Sequence, residues 1–358
     1  MCEHHGISPR ALESARRALA APNISRRGLL RGAGAMTLSM AVAGGAGGKA
    51  LAAGESIKST HGAGFCNLNL FLAHAEQLAA EDGLHLEFIN TPTFADQVTF
   101  LGTGAVDIGL TPYTSFMALY DAGVPVTIVA GGGVEGCAVV SQPGLDSPEK
   151  LKGKILGTFQ MDTLEVLPFD YLRKHGISFN DLTIRYLGGM AEAAETFKAG
   201  AIDIFSTIEP YASAMLNDVP GSHLLTDGTD LYGPGYTDCI LAARSDLIAE
   251  RPEALKALIK AMMRAQQMAE ADPAAVLSKV VGTYYKTSME NAAMAMEKQP
   301  AVVDARSQTD FILERVESVA EMGYIKQKPG RDAIDWTLLE EVIDENPDLY
   351  ASLKLKSA

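Results

Sequence analysis

The stretch LKGKILGTFQMDTLEVLPFDY, residues 151–171, decides the fold of this chain. Its apolar run at 155–157 predicts a short buried strand, and the polar residues 158–163 predict a loop after it. A helix is predicted to follow, with its clearest part at 169–175. A loop between a strand and a helix exposes free backbone N–H groups at the helix start, so it is a candidate ligand site.

The same alternation of strand and helix continues on both sides of this stretch. It indicates an α/β fold with mostly parallel sheets, in which ligands lie beyond the carboxyl ends of the strands. Further strands are predicted at 56–59, 84–89, 106–110, 124–130, 134–141, 182–186, 201–205 and 236–242. Further helices are predicted at 68–80, 94–102, 191–198 and 254–271.

Length and composition narrow the class of protein. A chain of 358 residues is long enough for two lobes, and 47% hydrophobic residues are typical of a globular protein. The formal net charge of −14 argues against a nucleic-acid partner, because phosphate contacts need basic clusters. The chain has no phosphate-binding glycine loop, nucleophile elbow or zinc-protease motif, so we expect no enzyme activity, no catalytic residues and no cofactor.

Residues 1–52 have the pattern of an export signal. Arg26 and Arg27 are followed by Leu29, Leu30 and Arg31, and then by a weakly apolar segment rich in Ala and Gly that ends at a small-residue cleavage site. This pattern resembles a twin-arginine signal peptide and predicts export to the periplasm.

Three motifs carry a resemblance to a known family. They are SPEKLKGKILG at 147–157, GTGAVDIGLTPYTSF at 102–116, and AIDIF at 201–205 with its following Glu-Pro. Their order and spacing resemble the solute-binding proteins of ABC importers, in the nitrate, sulfonate, taurine and thiamine-pyrimidine-precursor branch. The resemblance covers about 55–340.

The resemblance implies the periplasmic-binding-protein type II fold, with two α/β lobes joined by two crossing strands. Lobe one would comprise 53–140 and 239–358, and lobe two 141–238. The expected partners are a small ligand and an ABC permease in the inner membrane, with the chain itself monomeric. A sensor that presents its closed form to a receptor is a further alternative.

The loops that the resemblance assigns to the cleft contain acids and no Lys or Arg. This favours a neutral or cationic nitrogenous ligand, with aromatic side chains available to stack on it. The alternatives are a soft metal or metal complex, or an aliphatic sulfonate or nitrate, bound on the same fold. A further alternative is that the aromatics belong to the core and the acids cap loops. The predicted ligand-binding residues are His61, Phe65, Cys66, Asn67, Tyr113, Thr114, Ser115, Glu135, Cys137, Thr158, Gln160, Met161, Asp162, Thr163, Glu209, Tyr211, Tyr236 and Asp238.

Three cysteines follow the export signal, namely Cys66, Cys137 and Cys239. Cys137 and Cys239 fall in the two predicted crossing strands, which we expect to lie side by side and within reach of a disulfide. The alternatives are buried free thiols or a soft-metal site formed by all three. No metal is assigned from the sequence, since the spacing contains no CxxC pair.

Replacing Arg26 and Arg27 together by Lys is expected to leave the precursor in the cytoplasm, because the twin-arginine route requires the arginine pair. Cell fractionation with an antibody against the chain measures this. The same exchange at Arg16 and Arg17 is the control and should leave export intact. Normal export of the Arg26, Arg27 variant would show that the signal is of another type.

Overall fold

A computed structural model describes residues 54–91 and 94–356, without the side chain of residue 94. The predicted export signal, 1–52, lies outside these described residues. Ten strands form two five-stranded sheets, in the orders β2-β1-β3-β10-β4 and β7-β6-β8-β5-β9. The strands are β1 Glu55–Thr60, β2 Leu84–Phe88, β3 Ile108–Pro112, β4 Val126–Val134, β5 Cys137–Ser141, β6 Ile155–Thr158, β7 Thr183–Tyr186, β8 Ile204–Ile208, β9 His223–Thr226 and β10 Thr237–Arg244.

Helices cover both sheets. The α-helices are α1 Leu68–Ala75, α2 Phe94–Thr103, α3 Tyr113–Asp121, α4 Thr163–Lys174, α5 Met190–Lys198, α6 Tyr211–Asp218, α7 Thr229–Tyr232, α8 Ser245–Glu250, α9 Pro252–Ala271, α10 Pro273–Val280, α11 Met289–Lys298, α12 Thr309–Glu321, α13 Thr337–Glu345 and α14 Pro347–Ser352. Short 3₁₀ turns lie at Phe65–Asn67, Ala80–Asp82, Pro148–Lys150, Phe179–Asp181, Arg306–Gln308 and Arg331–Ala333. No helix in the described part of the chain is long and apolar enough to cross a membrane.

The chain passes between the sheets twice. The first passage is the two-residue link Glu135-Gly136 between β4 and β5, and both residues have left-handed backbone, with φ of 56° and 82°. The second runs from β9 through α7 to β10. Each sheet contains one strand, β10 or β5, that is antiparallel to its neighbours. The α/β class with two sheets and two crossings is as predicted.

Each sheet has its own apolar core. Ile57, Leu110 and Leu258 are among the residues buried around the first sheet, and Leu156 and Phe205 are among those buried around the second. The segment after β10 packs mainly on the first sheet, since its helices α9, α12 and α13 contribute to the cores there.

The predicted helix after β6 begins earlier than expected. It starts at Thr163 and continues through Pro168, whereas the sequence prediction put its clear part at 169–175. Pro168 has no N–H and leaves the carbonyl of Leu164, four residues earlier, without its helical donor. The hydroxyl of Thr158, at the end of β6, donates to that carbonyl at 2.7 Å instead. A residue of the strand therefore supplies the hydrogen-bond donor that the helix lacks at Pro168.

Other predicted boundaries were wrong by a few residues. Helix α1 ends at Ala75 and not at residue 80, and Gln77 just beyond it has left-handed backbone.

Strands β3 and β8 begin later than predicted, because the aspartate of each preceding motif lies in a turn. The carboxylate of Asp107 accepts from the backbone N–H of Lys58, and that of Asp203 from the N–H of Ile155. Each motif therefore joins a turn to a neighbouring strand.

Thr158→Val is expected to lower the free energy of unfolding by about 1–3 kcal/mol, because it leaves the buried carbonyl of Leu164 unpaired. Urea unfolding followed by circular dichroism measures this. Adding Pro168→Ala to Thr158→Val should recover part of the loss, since an alanine has the backbone N–H that proline lacks and can donate it to the Leu164 carbonyl.

Thr183→Val, at an exposed position of β7, is the matched control and should change the free energy of unfolding little. If Pro168→Ala lowers stability equally with and without Thr158, the hydroxyl does not replace the missing helical donor.

Candidate functional site

The centre of the candidate site is the carboxylate of Asp238, which is buried between the two sheets. One of its oxygens accepts from the hydroxyl of Thr163 at 2.6 Å and from the thiol of Cys137 at 3.3 Å. The other accepts from the thiol of Cys239 at 3.0 Å and from the side-chain amide of Gln299 at 3.3 Å. Four donors from separate segments therefore converge on one carboxylate.

Asp238 and its donors Thr163, Cys137, Cys239 and Gln299 form the polar cluster of the site. An irregularity in β10 brings two successive residues, Asp238 and Cys239, into this cluster. Side chains of successive residues in a regular strand point to opposite faces. The register of β10 against β4 shifts on either side of Cys239, so that Asp238 is left without a partner residue in this pairing. Shifts of this kind re-aim side chains. Asp238 and Cys239 consequently contact each other through their side chains.

Cys66 enters the cluster from the 3₁₀ turn after β1. Its sulfur lies 2.9 Å from the sulfur of Cys239, and the side-chain amide of Asn67 donates to it at 3.3 Å. The close approach depends on Gly133 of β4, because a Cβ atom at that position would lie 2.5 Å from the Cβ of Cys66. A side chain at residue 133 would therefore displace the cysteine turn.

All three described cysteines are free and buried. The expectation that Cys137 and Cys239 lie on adjacent strands is wrong. β5 pairs with β8 and β9 in the second sheet, whereas β10 pairs with β3 and β4 in the first. The close sulfur contact joins Cys66 and Cys239, because the turn after β1 folds over the start of β10.

The cluster and its immediate surroundings contain the buried acids Asp162 and Asp238, and no basic side chain of the described residues is paired with either of them. Burial raises the pKa of the Asp238 carboxyl and of the thiols of Cys137 and Cys239. Burial also raises the pKa of Asp162, the N-cap of α4, to about 7, and the charge of Asp238 adds to this shift. The site thus disfavours additional negative charge.

A recess of about 110 Å³ opens beside this cluster. Glu135, Cys137, Glu209 and Asp227 line it, together with Lys298 from the end of α11. The ammonium of Lys298 lies 3.6 Å from the carboxylate of Glu209. Sequence reasoning missed Lys298 and Gln299, because they follow the last predicted cleft loop by about sixty residues and no motif marks them.

The other predicted site residues have varied surroundings. His61 packs edge-on against Phe71 and Phe88, and Phe65 stacks on Tyr285 with ring centroids 4.3 Å apart.

The predicted site residues of α3 and those near the start of β10 lie elsewhere. Tyr113 and Tyr236 both pack near Phe311, and Tyr236 donates to the carbonyl of Asp227. Thr114 and Ser115 are buried in the first turn of α3, where the Thr114 hydroxyl has no partner. Tyr211 and Met161 are half-buried, and Gln160 is exposed.

Direct hydrogen bonds connect the two lobes around the cluster. The carboxylate of Glu165 on α4 accepts from the hydroxyls of Tyr186 and Tyr324, at 2.6 and 2.7 Å. The backbone N–H of Phe65 donates to the carbonyl of Glu209 at 3.0 Å. Tyr186 ends β7 and Glu209 follows β8, both in the second sheet, whereas Phe65 and Tyr324 lie in segments that pack on the first.

Asp170 on α4 makes a second cross-lobe contact. Its carboxylate accepts from the guanidinium of Arg315 on α12 at 2.7 Å and from the hydroxyl of Ser318 at 3.0 Å. Arg315 also lies over the ring of Tyr232, 4.8 Å from its centroid. Sequence reasoning missed these residues as well, because nothing local pairs α4 with α12.

Two sheets, two chain crossings and a buried polar cluster between lobes define the periplasmic-binding-protein fold class. The alkanesulfonate-binding protein SsuA from Xanthomonas axonopodis pv. citri, bound to MOPS, has this fold, with a TM-score of 0.70 and 18% identity over 80% of this chain and 99% of that one. The NMT1/THI5-like family model matches residues 68–276. The chain therefore belongs to the NMT1/THI5-like family, in agreement with the predicted resemblance.

Two relatives carry names of binding proteins and not of enzymes. One, from Brucella abortus, is 28% identical over 188 residues, which are 52% of this chain and 57% of the relative. The matched part thus spans little more than half of that protein. The other is named as an aliphatic sulfonates-binding protein of Bacillus subtilis, 24% identical over 284 residues, 76% of this chain and 82% of the relative.

Asp162→Asn is expected to flatten the dependence of stability on pH. An acid whose folded-state pKa is raised contributes stability below its unfolded pKa, and this is lost as pH rises through the folded value, here from about 4 to about 7. The variant keeps an N-cap oxygen and removes the titration. Its stability relative to the native chain should rise by up to about 4 kcal/mol over this range.

Urea unfolding between pH 4.5 and 8 measures this difference, and Asp181→Asn, on an exposed turn, is the control. Parallel pH profiles for the native chain and Asp162→Asn would contradict a raised pKa at residue 162.

Proposed function

We propose that this chain is a periplasmic solute-binding protein that captures a small ligand between its lobes and delivers it to an ABC permease. Within this proposal lobe one is built on the first sheet and lobe two on the second, close to the predicted bounds of 53–140 with 239–358 and of 141–238. Strand β5, Cys137–Ser141, pairs in the second sheet and therefore counts with lobe two. The supporting observation is the ring of cross-lobe hydrogen bonds, from Glu165, Asp170 and Phe65, around a buried polar cluster. Such bonds form only when the lobes close, so they couple closure to what the cleft contains.

Export through the twin-arginine route belongs to the same proposal. It is supported by Arg26 and Arg27 before a weakly apolar segment. A chain of this kind acts as a monomer, because each lobe pair encloses its own cleft.

The ligand class that we infer is uncharged or cationic. The carboxylate of Glu209 lines the recess, and Cys137 on the same wall contacts the buried carboxylate of Asp238. Among the described residues, Lys298 is the base that approaches Glu209. Lys298 is half exposed and already faces Glu209. A sulfonate or nitrate beside Asp238 would add a second negative charge to a buried site where no guanidinium or ammonium of the described residues balances it.

The Bacillus subtilis relative is named for aliphatic sulfonates, so a sulfonate is the competing ligand class. The two classes differ in what Asp238 does. A carboxylate that accepts a ligand N–H strengthens binding of an amine or aminopyrimidine, whereas the same carboxylate repels a sulfonate.

Titration calorimetry with a hydroxymethyl-aminopyrimidine, taurine and nitrate is expected to give tight binding with the first and not with taurine or nitrate. Asp238→Asn should weaken that binding roughly tenfold or more, because a hydrogen bond to a charged acceptor is lost. Asp348→Asn, on the exposed start of α14, is the matched control. Tight binding of nitrate or taurine, strengthened by Asp238→Asn, would overturn the inferred ligand class and leave a binding protein for anions.

A further inference from the structure

We propose that Cys66, Asp238 and Cys239 form a binding site for a zinc-class divalent cation, with the thiol of Cys137 next to them. This site goes beyond the proposed capture of an organic ligand, since it binds a metal ion whether or not a second ligand is present.

The three ligand atoms already lie together. The sulfurs of Cys66 and Cys239 and a carboxylate oxygen of Asp238 are all within 4.8 Å of one another and buried. In a tetrahedral zinc site, with Zn–S bonds near 2.3 Å, two ligating sulfurs stand roughly 3.8 Å apart. The sulfurs here are 2.9 Å apart, so the ion requires the cysteine turn at Cys66 to move outward by about 1 Å.

The donor set selects the type of ion. Thiolate sulfur is a poor ligand for Mg²⁺ or Ca²⁺, and a carboxylate oxygen is a poor one for Cu(I). Two thiolates and one carboxylate suit Zn(II), which accepts both atom types. Binding releases the thiol protons of Cys66 and Cys239 to solvent, and the two positive charges of the ion then neutralise most of the three negative charges of its ligands.

Neighbouring polar groups hold the ligands in position. The hydroxyl of Thr163 and the amide of Gln299 donate to the Asp238 carboxylate, and the amide of Asn67 donates to the Cys66 sulfur. Groups of this kind orient metal ligands and raise affinity in known sites. Asp170 differs from Asp238 in its counter-charge. The buried carboxylate of Asp170 has the guanidinium of Arg315 beside it, whereas that of Asp238 has no Lys or Arg partner among the described residues.

The recess reaches Cys137, which lies next to the proposed site. Cys137 lines the wall of the recess and also contacts the Asp238 carboxylate, so an ion that enters beside Glu135 and Glu209 meets Cys137 first. The sequence alone suggested a three-cysteine site only as an alternative. The structure adds Asp238 to it and makes Cys66 and Cys239 the nearest sulfur pair.

The test uses the full chain carrying Cys2→Ser, kept reduced with a non-thiol reductant and freed of metal by a chelator. After Zn(II) is added and the protein is desalted, elemental analysis should find one zinc per chain. Competition with a chromophoric chelator then gives the dissociation constant. Co(II) in place of Zn(II) should give thiolate-to-metal charge-transfer absorption, which a surface carboxylate site does not produce.

Cys66→Ser and Cys239→Ser should each weaken zinc binding by roughly 100-fold or more, because each removes a direct ligand. Cys137→Ser is the matched control and should weaken it less than tenfold, since the three closest ligands remain. Circular dichroism establishes that each variant is folded. The site would be overturned by less than one zinc per chain in the reduced protein that keeps Cys66, Cys137 and Cys239. It would equally be overturned if Cys66→Ser or Cys239→Ser bound zinc as tightly as that protein. The calorimetry with organic ligands is unaffected by either result.

Discussion

The structure depends on one buried carboxylate that is shared by both lobes. Asp238 lies at the start of β10, which belongs to the first sheet, yet two of its donors, Thr163 and Cys137, begin α4 and β5 of the second. A buried carboxylate without these donors would be costly, because burial penalises its charged form. The junction between lobes is therefore held by satisfaction of a charge and not by apolar packing alone. A junction of this kind is sensitive to whatever ligand or ion supplies a positive charge.

The fold could be predicted from the sequence to a large extent because its motifs act locally. The aspartates of the two similar motifs accept from a backbone N–H of a neighbouring strand, Asp107 from Lys58 within β1 and Asp203 from Ile155 at the start of β6. The positions of those aspartates therefore predict where a parallel strand pairs with its neighbour. Boundaries were harder to predict, since Thr158 lets α4 run through Pro168, and no local rule at a proline anticipates a donor ten residues earlier.

The candidate site could be predicted only in part, for a related reason. Cys66, Asp162, Thr163 and Asp238 each follow a strand end or lie at a crossing, where the topology brings side chains together. Gln299 contacts Asp238 from sixty-one residues away, after a helix that shows no motif. Its side chain also overlies Gly136, where a Cβ atom would lie 2.4 Å from it. Contacts of this kind depend on how the last third of the chain folds back, which sequence pattern does not reveal.

Helix α4 explains why the stretch 151–171 organises the chain. Its N-cap and first residue, Asp162 and Thr163, face the cluster, while Glu165 and Asp170 reach Tyr324 and Arg315 across the cleft. The same helix thus contributes one end to the site and its flank to lobe closure. Because a helix is rigid over this length, a ligand that shifts Asp162 or Thr163 also shifts Glu165 and Asp170. In the proposed function, ligand binding at the cluster and hydrogen bonding between the lobes would be coupled through α4, as capture by lobe closure requires.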